Sequence, residues 1–297
     1  METKISEVIE DFQKHCRLTK AEQTVKYQKY QFGPMLTFFN DHGISFLSQI
    51  NRSVLDDMII QFKKTCKNIS INKRLLLLKM LYQYLDIPFD YLKSFPKLRQ
   101  EQNRYNAIPE SDLRRILNYV NKYDENNPYE MTRKLIVLLL LDTGARQSEL
   151  LKIQINNISF EERKILLTST KTKIAREVFF SKMTFDLMLR YSQLKPKRKY
   201  LFYNFLKDRP FTERDLRAFM DKMKFDLGII KLTSRNFRHT TATVLVDNGC
   251  PLETVQAILG HKNLMTTQIY LHLSVKKHQN DFNKFSMLNN IETQKAA

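Results

Sequence analysis

Apolar residues recur three and four positions apart over most of the chain. Ile5, Ile9 and Phe12 share one helical face, and so do Leu75, Leu78, Tyr82 and Leu85, because such spacings stack on one side of a 3.6-residue turn. Residues 1 to about 95 therefore read as several short helices. Breaks are expected at Phe32-Gly33-Pro34, at Asp41-His42-Gly43 and at Ile87-Pro88, where glycine or proline interrupts the period. Residues 97–106 are polar and basic without periodicity and read as a linker. A helix then starts near Ile108-Pro-Glu-Ser-Asp112, with Pro109 or Ser111 near its cap, and Leu113, Ile116, Leu117 and Val120 mark its apolar face. Leu135-Ile-Val-Leu-Leu-Leu-Leu141 is the longest apolar run. It is far short of the ~20 residues of a membrane span and reads as a buried helix. Between Ile153 and Phe180 the period shortens to two. Ile153 with Ile155, then residues 164–168, then residues 177–180 predict three short strands, with Asn156, Asn157 and residues 161–163 in or near turns. Helices return after about Met183. The fold class is mainly α, with one small three-stranded antiparallel sheet in the second half.

Six glycines and eight prolines in 297 residues, with abundant leucine, isoleucine and lysine, agree with a helical chain. The length suits about two domains. Forty-nine basic and 31 acidic residues leave 49 − 31 = +18 charges. A field of that sign draws in polyanions, and nucleic acid is the favoured partner, because neutralised phosphates supply most non-specific affinity. A merely solvated basic surface, or binding to ribosomes or anionic membranes, are the competing explanations. The N-terminal residues have no apolar signal segment, so an intracellular, cytoplasmic protein without membrane attachment is expected. Cys16, Cys66 and Cys250 are scattered, with no CxxC pair. They predict reduced thiols rather than a zinc site or disulfide framework.

Basic and aromatic residues interleave from Lys20 to Tyr30, and Lys63, Lys64 and Lys67 form a second basic cluster, followed by Lys73 and Arg74. Such side chains can contact DNA phosphates or simply face water. In the second half, Arg235 and Arg238 fall on one face of a helix expected to start near Ser234. A helix N-terminus offers free N–H groups to a phosphate, and arginine adds a fork that grips its oxygens. Leu252, Val255, Ile258 and Leu259 predict an amphipathic helix from about Pro251. Gly260 sits where a left-handed C-terminal residue is wanted, and His261 follows at once.

These residues, with Thr143-Gly-Ala-Arg146-Gln-Ser-Glu-Leu150 upstream and Tyr270 downstream, resemble the tyrosine recombinase (phage integrase) family. The intervals 261 − 238 = 23 and 270 − 261 = 9 match its boxes. The resemblance implies an N-terminal helical, SAM-like core-binding domain (1–95), a linker (96–107), a catalytic domain (108–288) and a loose tail (289–297). It implies a C-shaped clamp closing on double-stranded DNA and a homotetramer working on two DNA sites, with DNA-bending accessory proteins as compatible partners. The activity implied is site-specific recombination that integrates, excises or resolves a mobile element or replicon, on nucleoid DNA. No metal or other cofactor is expected, because the bond energy stays in a 3′-phosphotyrosyl link. Carried over position by position, Arg146 and Arg238 bind the two non-bridging oxygens and Tyr270 attacks phosphorus. His261 helps hold the phosphate, and Lys171, or else Lys173, protonates the leaving 5′-oxygen. His239 is expected to be structural, and Glu149 either orients Arg146 or Lys171 or lies on a helix surface. Residues 271–288, with Val275, Phe282 and Phe285, suggest a helix that docks on a neighbouring protomer or packs on its own domain. One position departs from the pattern: Arg235 stands where the family usually has histidine, and arginine stays protonated and cannot act as a base. It is therefore expected to donate to the phosphate, with base work either moved elsewhere, as to His261, or replaced by a purely electrostatic residue. Two rival activities share parts of this signature. One is type IB topoisomerase-like nicking and rejoining, the other a DNA-binding regulator that has lost catalysis.

Overall fold

A computed structural model describes residues 3–99, 107–168, 175–194 and 198–271, with Gln279 and Phe282 beyond them. The chain divides into two compact units, residues 1–103 and 104–297. Among the described residues no helix is long and apolar enough to cross a membrane.

The first unit is helical: α1 (Ile5–Thr19), α2 (Glu22–Asp41), α3 (Arg52–Thr65), α4 (Asn68–Tyr84) and the short α5 (Asp90–Ser94). Ile5, Ile9 and Phe12 of α1 are buried as their spacing predicts, against Phe32, Met35 and Phe39 of α2 and Leu75, Leu78 and Leu81 of α4. Asn51 caps α3 by accepting from the Val54 N–H at 3.1 Å. The expected break at Phe32-Gly33-Pro34 does not occur, since α2 runs straight through Pro34. An interior proline costs about 3 kcal/mol. Phe32, Met35, Phe38 and Phe39 around it are all buried, each contributing about 1.5–3 kcal/mol, so packing outweighs the lost hydrogen bond. Gly33 is on the water side of that turn. The breaks at residues 41–43 and 87–88 are real: Gly43 takes a φ of +68°, and Asp86, just after α4, one of +53°. Arg74 leaves the basic surface cluster. Its side chain is buried, donating to Cys66 Sγ at 3.3 Å and lying over the Phe62 ring. Residues 95–99 run along α4, where Asn72 both donates to the Leu98 carbonyl and accepts from the Leu98 N–H.

The second unit is built around α7 (Pro128–Thr143), flanked by α6 (Glu110–Asn121), α9 (Lys182–Gln193) and α11 (Ser234–Asp247). Every residue from Leu135 to Leu140 is buried, because α7 is covered on all sides and can be apolar all round. Asn127 caps it, Pro128 opens it, and Gly144 ends it at φ +56°. The sheet has order β1-β2-β3, antiparallel, from β1 (Ile158–Ser159), β2 (Lys164–Thr168) and β3 (Ala175–Phe179), with Leu167 opposite Arg176. The first strand is not at Ile153 and Ile155. That extended stretch pairs with residues 199–201 instead, Leu201 N–H donating to the Ile153 carbonyl at 2.8 Å, and residues 155–157 coil into a short turn. Two alternating apolar residues specify extended backbone but not its partner. A separate hairpin, β4 (Tyr203–Asn204) with β5 (Arg209–Pro210), precedes α10 (Glu213–Asp226). The remaining helices are α8 (Gln147–Leu150), α12 (Leu252–Leu259) and α13 (Met265–Gln268).

Candidate active site

The C-terminal end of α12 is the centre of the site. Gly260 ends this helix at φ +65°, and three arginines from three elements close on its last carbonyls. Arg176 Nε of β3 donates to the Ile258 carbonyl at 2.7 Å, Arg238 Nη2 of α11 to Leu259 at 2.7 Å, and Arg146 Nη2, at the start of α8, to Gly260 at 3.2 Å. These carbonyls carry the negative end of the helix dipole, so they suit cations. Arg238 is 8% exposed, and its Nη1 reaches back to the Gly144 carbonyl at 2.8 Å.

Glu149 is no surface residue. Its side chain is 2% exposed and sits between Arg146 Nη1 at 2.7 Å and Arg176 Nη2 at 2.8 Å, while also accepting from the Arg146 N–H at 2.9 Å. Burial alone would raise its carboxyl pKa. The hydrogen bonds from Arg176 and Arg146 outweigh burial and hold it at about 2. Arg238 is pushed down to about 10, first by burial and then by the charges of Arg146 and Arg176. It stays protonated at neutral pH.

The tyrosine side is built differently. Tyr270 is 1% exposed and packs with Ala242, Val246, Val255 and Leu259. Its hydroxyl shares a 2.9 Å hydrogen bond with His239 Nδ1, and its ring is parallel to that of His261, centroids 6.4 Å apart. His261 Nδ1 shares a 2.8 Å bond with Thr267 of α13. Burial, then Arg235 and Arg238, lower His239 to about 4; burial, then Arg238, Arg146 and Arg176, do the same to His261. Both imidazoles are therefore neutral near pH 7.

The structure thus brings Arg146, Arg238, His261 and Tyr270 together. Arg235 is exposed in the first turn of α11, and its charge acts on His239. Lys171 and Lys173 lie outside the described residues, as does most of the expected helix over residues 271–288. His239, expected to be structural, is a hydrogen-bond partner of the tyrosine. Arg176 is absent from the sequence reading, yet a signal existed. It is in phase with the inward-facing Val178 and Phe180, so strand alternation aims its side chain inward. Among the described residues no three histidine, cysteine or carboxylate side chains converge as a metal site.

Arginines, histidines and a tyrosine thus converge on a mainly helical frame with a small sheet. The model of the phage integrase family matches residues 106–277, and the chain belongs to that family. A probable integrase/recombinase of Acholeplasma phage L2 is 30% identical over 219 residues, covering 74% of this chain and 75% of that one. Tyrosine recombinase XerA of Saccharolobus solfataricus is 30% identical over 225 residues, covering 75% and 69%. A solved structure of the Tn1549 transposon integrase with a circular intermediate DNA aligns at TM-score 0.75 and 16% identity, over 96% of this chain and 100% of that one. At that identity the likeness speaks for the fold. The protein is accordingly a tyrosine site-specific recombinase, a DNA-binding enzyme that cuts and rejoins DNA.

Proposed function

We propose that Tyr270 attacks a phosphodiester gripped by Arg146 and Arg238 and forms a 3′-phosphotyrosyl link, which a DNA 5′-hydroxyl then resolves. The supporting observation is the convergence of two arginines, from α8 and α11, on the Leu259 and Gly260 carbonyls, beside His261 and Tyr270. Each guanidinium has five N–H donors, and for each of these two residues only part of that set is used to fix it in place. Preorganised cations of this kind stabilise the charge that develops on phosphorus-bound oxygens. In the reaction the Tyr270 oxygen bonds to phosphorus as the bond to the 5′-oxygen breaks, and the leaving oxygen takes a proton from Lys171 or Lys173.

The phenolic proton goes to His239. An ordinary phenol has a pKa of about 10, against about 4 for His239, so transfer at rest is uphill. Burial is the first cause of that low value, and the anionic phosphate offsets the smaller one, the charges of Arg235 and Arg238. The base therefore gains strength as the substrate arrives. Tyr270 is also buried, so the phosphate reaches its hydroxyl only after the tyrosine or its cover shifts. In the first unit, the exposed Lys26, Lys29, Lys63, Lys64 and Lys67, with Lys73 over the Tyr27 ring at 5.7 Å, supply contacts to the DNA backbone. The working form is a homotetramer on two sites.

A nicked suicide substrate carrying the cognate site tests this reading. Wild-type protein should form a covalent protein–DNA adduct that survives denaturing electrophoresis, and Tyr270→Phe should form none. An equal yield from Tyr270→Phe would remove the assignment.

A further inference from the structure

The three arginines on the end of α12 do not have equal standing. Arg146 and Arg238 are already assigned to the phosphate. Arg176 reaches the same helix end from the sheet, with its side chain 8% exposed, and has no role so far. We infer that Arg176 is a positioning residue for the reaction. It ties Glu149 to the Ile258 carbonyl, and Glu149 in turn sets the angle at which Arg146 meets the phosphate. The inference rests on the assignment of Arg146 to the scissile phosphate.

Three observations carry it. First, Glu149 has one carboxylate oxygen on Arg176 Nη2 and the other on Arg146 Nη1. Loss of Arg176 would leave that buried carboxylate with one guanidinium, and the pair would be free to swing together. Secondly, Arg176 uses two nitrogens at once, Nε to Ile258 and Nη2 to Glu149. A planar fork can span two such acceptors, whereas an ammonium is a single point. Thirdly, the backbone before His261 is seated on this side chain: a Cβ added at Gly260 would lie 2.9 Å from Arg176 Cδ and 3.0 Å from Nη1. Arg176 thus fixes one side of the turn from which the Gly260 carbonyl holds Arg146 and His261 projects.

An arrangement serving stability alone has no need of this charge. Buried ion pairs are often replaced by apolar residues at no cost, and a third guanidinium beside Arg146 and Arg238 adds repulsion, which lowers the Arg238 pKa after burial and Arg146 have done so. The arrangement is better suited to holding a positive, fixed surface toward an anion.

The test compares single-turnover cleavage of two suicide substrates by wild type, Arg176→Lys and Arg176→Ala. One substrate has a normal scissile phosphate, the other an uncharged methylphosphonate at that position. Misplacing a catalytic group by about 1 Å costs on the order of 100-fold, so both variants should cleave the phosphate at least about tenfold more slowly, with DNA affinity little changed. The loss should shrink on the methylphosphonate, which asks less of Arg146. Glu149→Gln combined with Arg176→Ala should be little worse than either alone. Arg176→Lys keeps the charge and serves if the alanine variant does not fold. Wild-type rates from Arg176→Lys and Arg176→Ala, or equal losses on both substrates, would overturn the inference. Wild-type cleavage with no dependence on Tyr270 would instead overturn the reading on which it rests.

Discussion

The two sides of the site are held by opposite means. On the arginine side, Arg146, Arg176 and Arg238 are cross-linked by Glu149 and by the carbonyls of Gly144, Ile258, Leu259 and Gly260, all at 2.7–3.2 Å. There Glu149 is held at about 2 and Arg238 at about 10, both far from neutrality. On the tyrosine side, Tyr270 is retained by apolar packing and a hydrogen bond to one neutral imidazole, and His261 by a bond to the four-residue α13. The difference teaches how the work is divided. On the proposal made above, the charge of the transition state is met by groups whose positions are settled before DNA arrives, which avoids reorganisation during reaction. On the same proposal the nucleophile is kept covered, beside an imidazole that burial and then Arg235 and Arg238 hold neutral.

The largest break in this comparison should come from exchanging one residue on each side. Arg238→Ala removes a buried donor that nothing else replaces, and single-turnover cleavage should fall about 10²–10³-fold. His261→Asn keeps a hydrogen-bonding side chain opposite Thr267 and should cost clearly less, on the order of tenfold. Rates on the same suicide substrate give both figures. If His261→Asn proves as damaging as Arg238→Ala, the tyrosine side is preorganised after all.

How far the sequence foretold each side follows from how local its determinants are. Gly260 at a helix end, the i, i+3 arginines of α11 and the inward period of α7 are short-range patterns, and the spacing of the boxes places Arg146, Arg238, His261 and Tyr270. The contact of His239 with Tyr270 spans 31 positions and that of Arg176 with Glu149 spans 27. No periodicity encodes such pairs, although alternation on β3 does aim Arg176 inward. Glu149 shows the same limit: a glutamate in a short helix reads equally as surface or core until its two partners are in place. Pro34 failed as a helix breaker because α2 is held by packing to distant residues, which a propensity cannot express.

Acid separates the two sides by pH. His239 and His261 have folded pKa values near 4, below the ordinary 6.5. The unfolded chain therefore binds their protons first, and stability present above pH 6.5 is lost as pH falls toward 4. Glu149 is depressed from 4.5 to about 2, so its contribution is full above 4.5 and is lost only as pH falls through 2. Each shift corresponds to at most about 3 kcal/mol. Urea unfolding should show the first loss between pH 6.5 and 4, and His239→Asn should shrink that loss to the share of His261 while leaving the lower window. Glu149→Gln should flatten the lower window alone. Loss of both windows in one variant would mean that the two sides unfold as a single coupled network.

The smallest effect should come from a single methyl group, at two glycines that share a backbone conformation. Gly43 and Gly260 have φ of +68° and +65°, so alanine at either costs about 1–2 kcal/mol of strain. A Cβ at Gly43 meets nothing within 4 Å, whereas at Gly260 it would press on Arg176. Gly43→Ala should therefore lower the midpoint of thermal unfolding slightly and leave cleavage unchanged. Gly260→Ala should lower it somewhat more and slow cleavage as well, because Arg176 cannot yield without loosening Glu149 and, through it, Arg146. Equal cleavage rates for the two variants would show that the turn before His261 tolerates a shift of its arginine, and that the arginine side is less rigid than its hydrogen bonds imply.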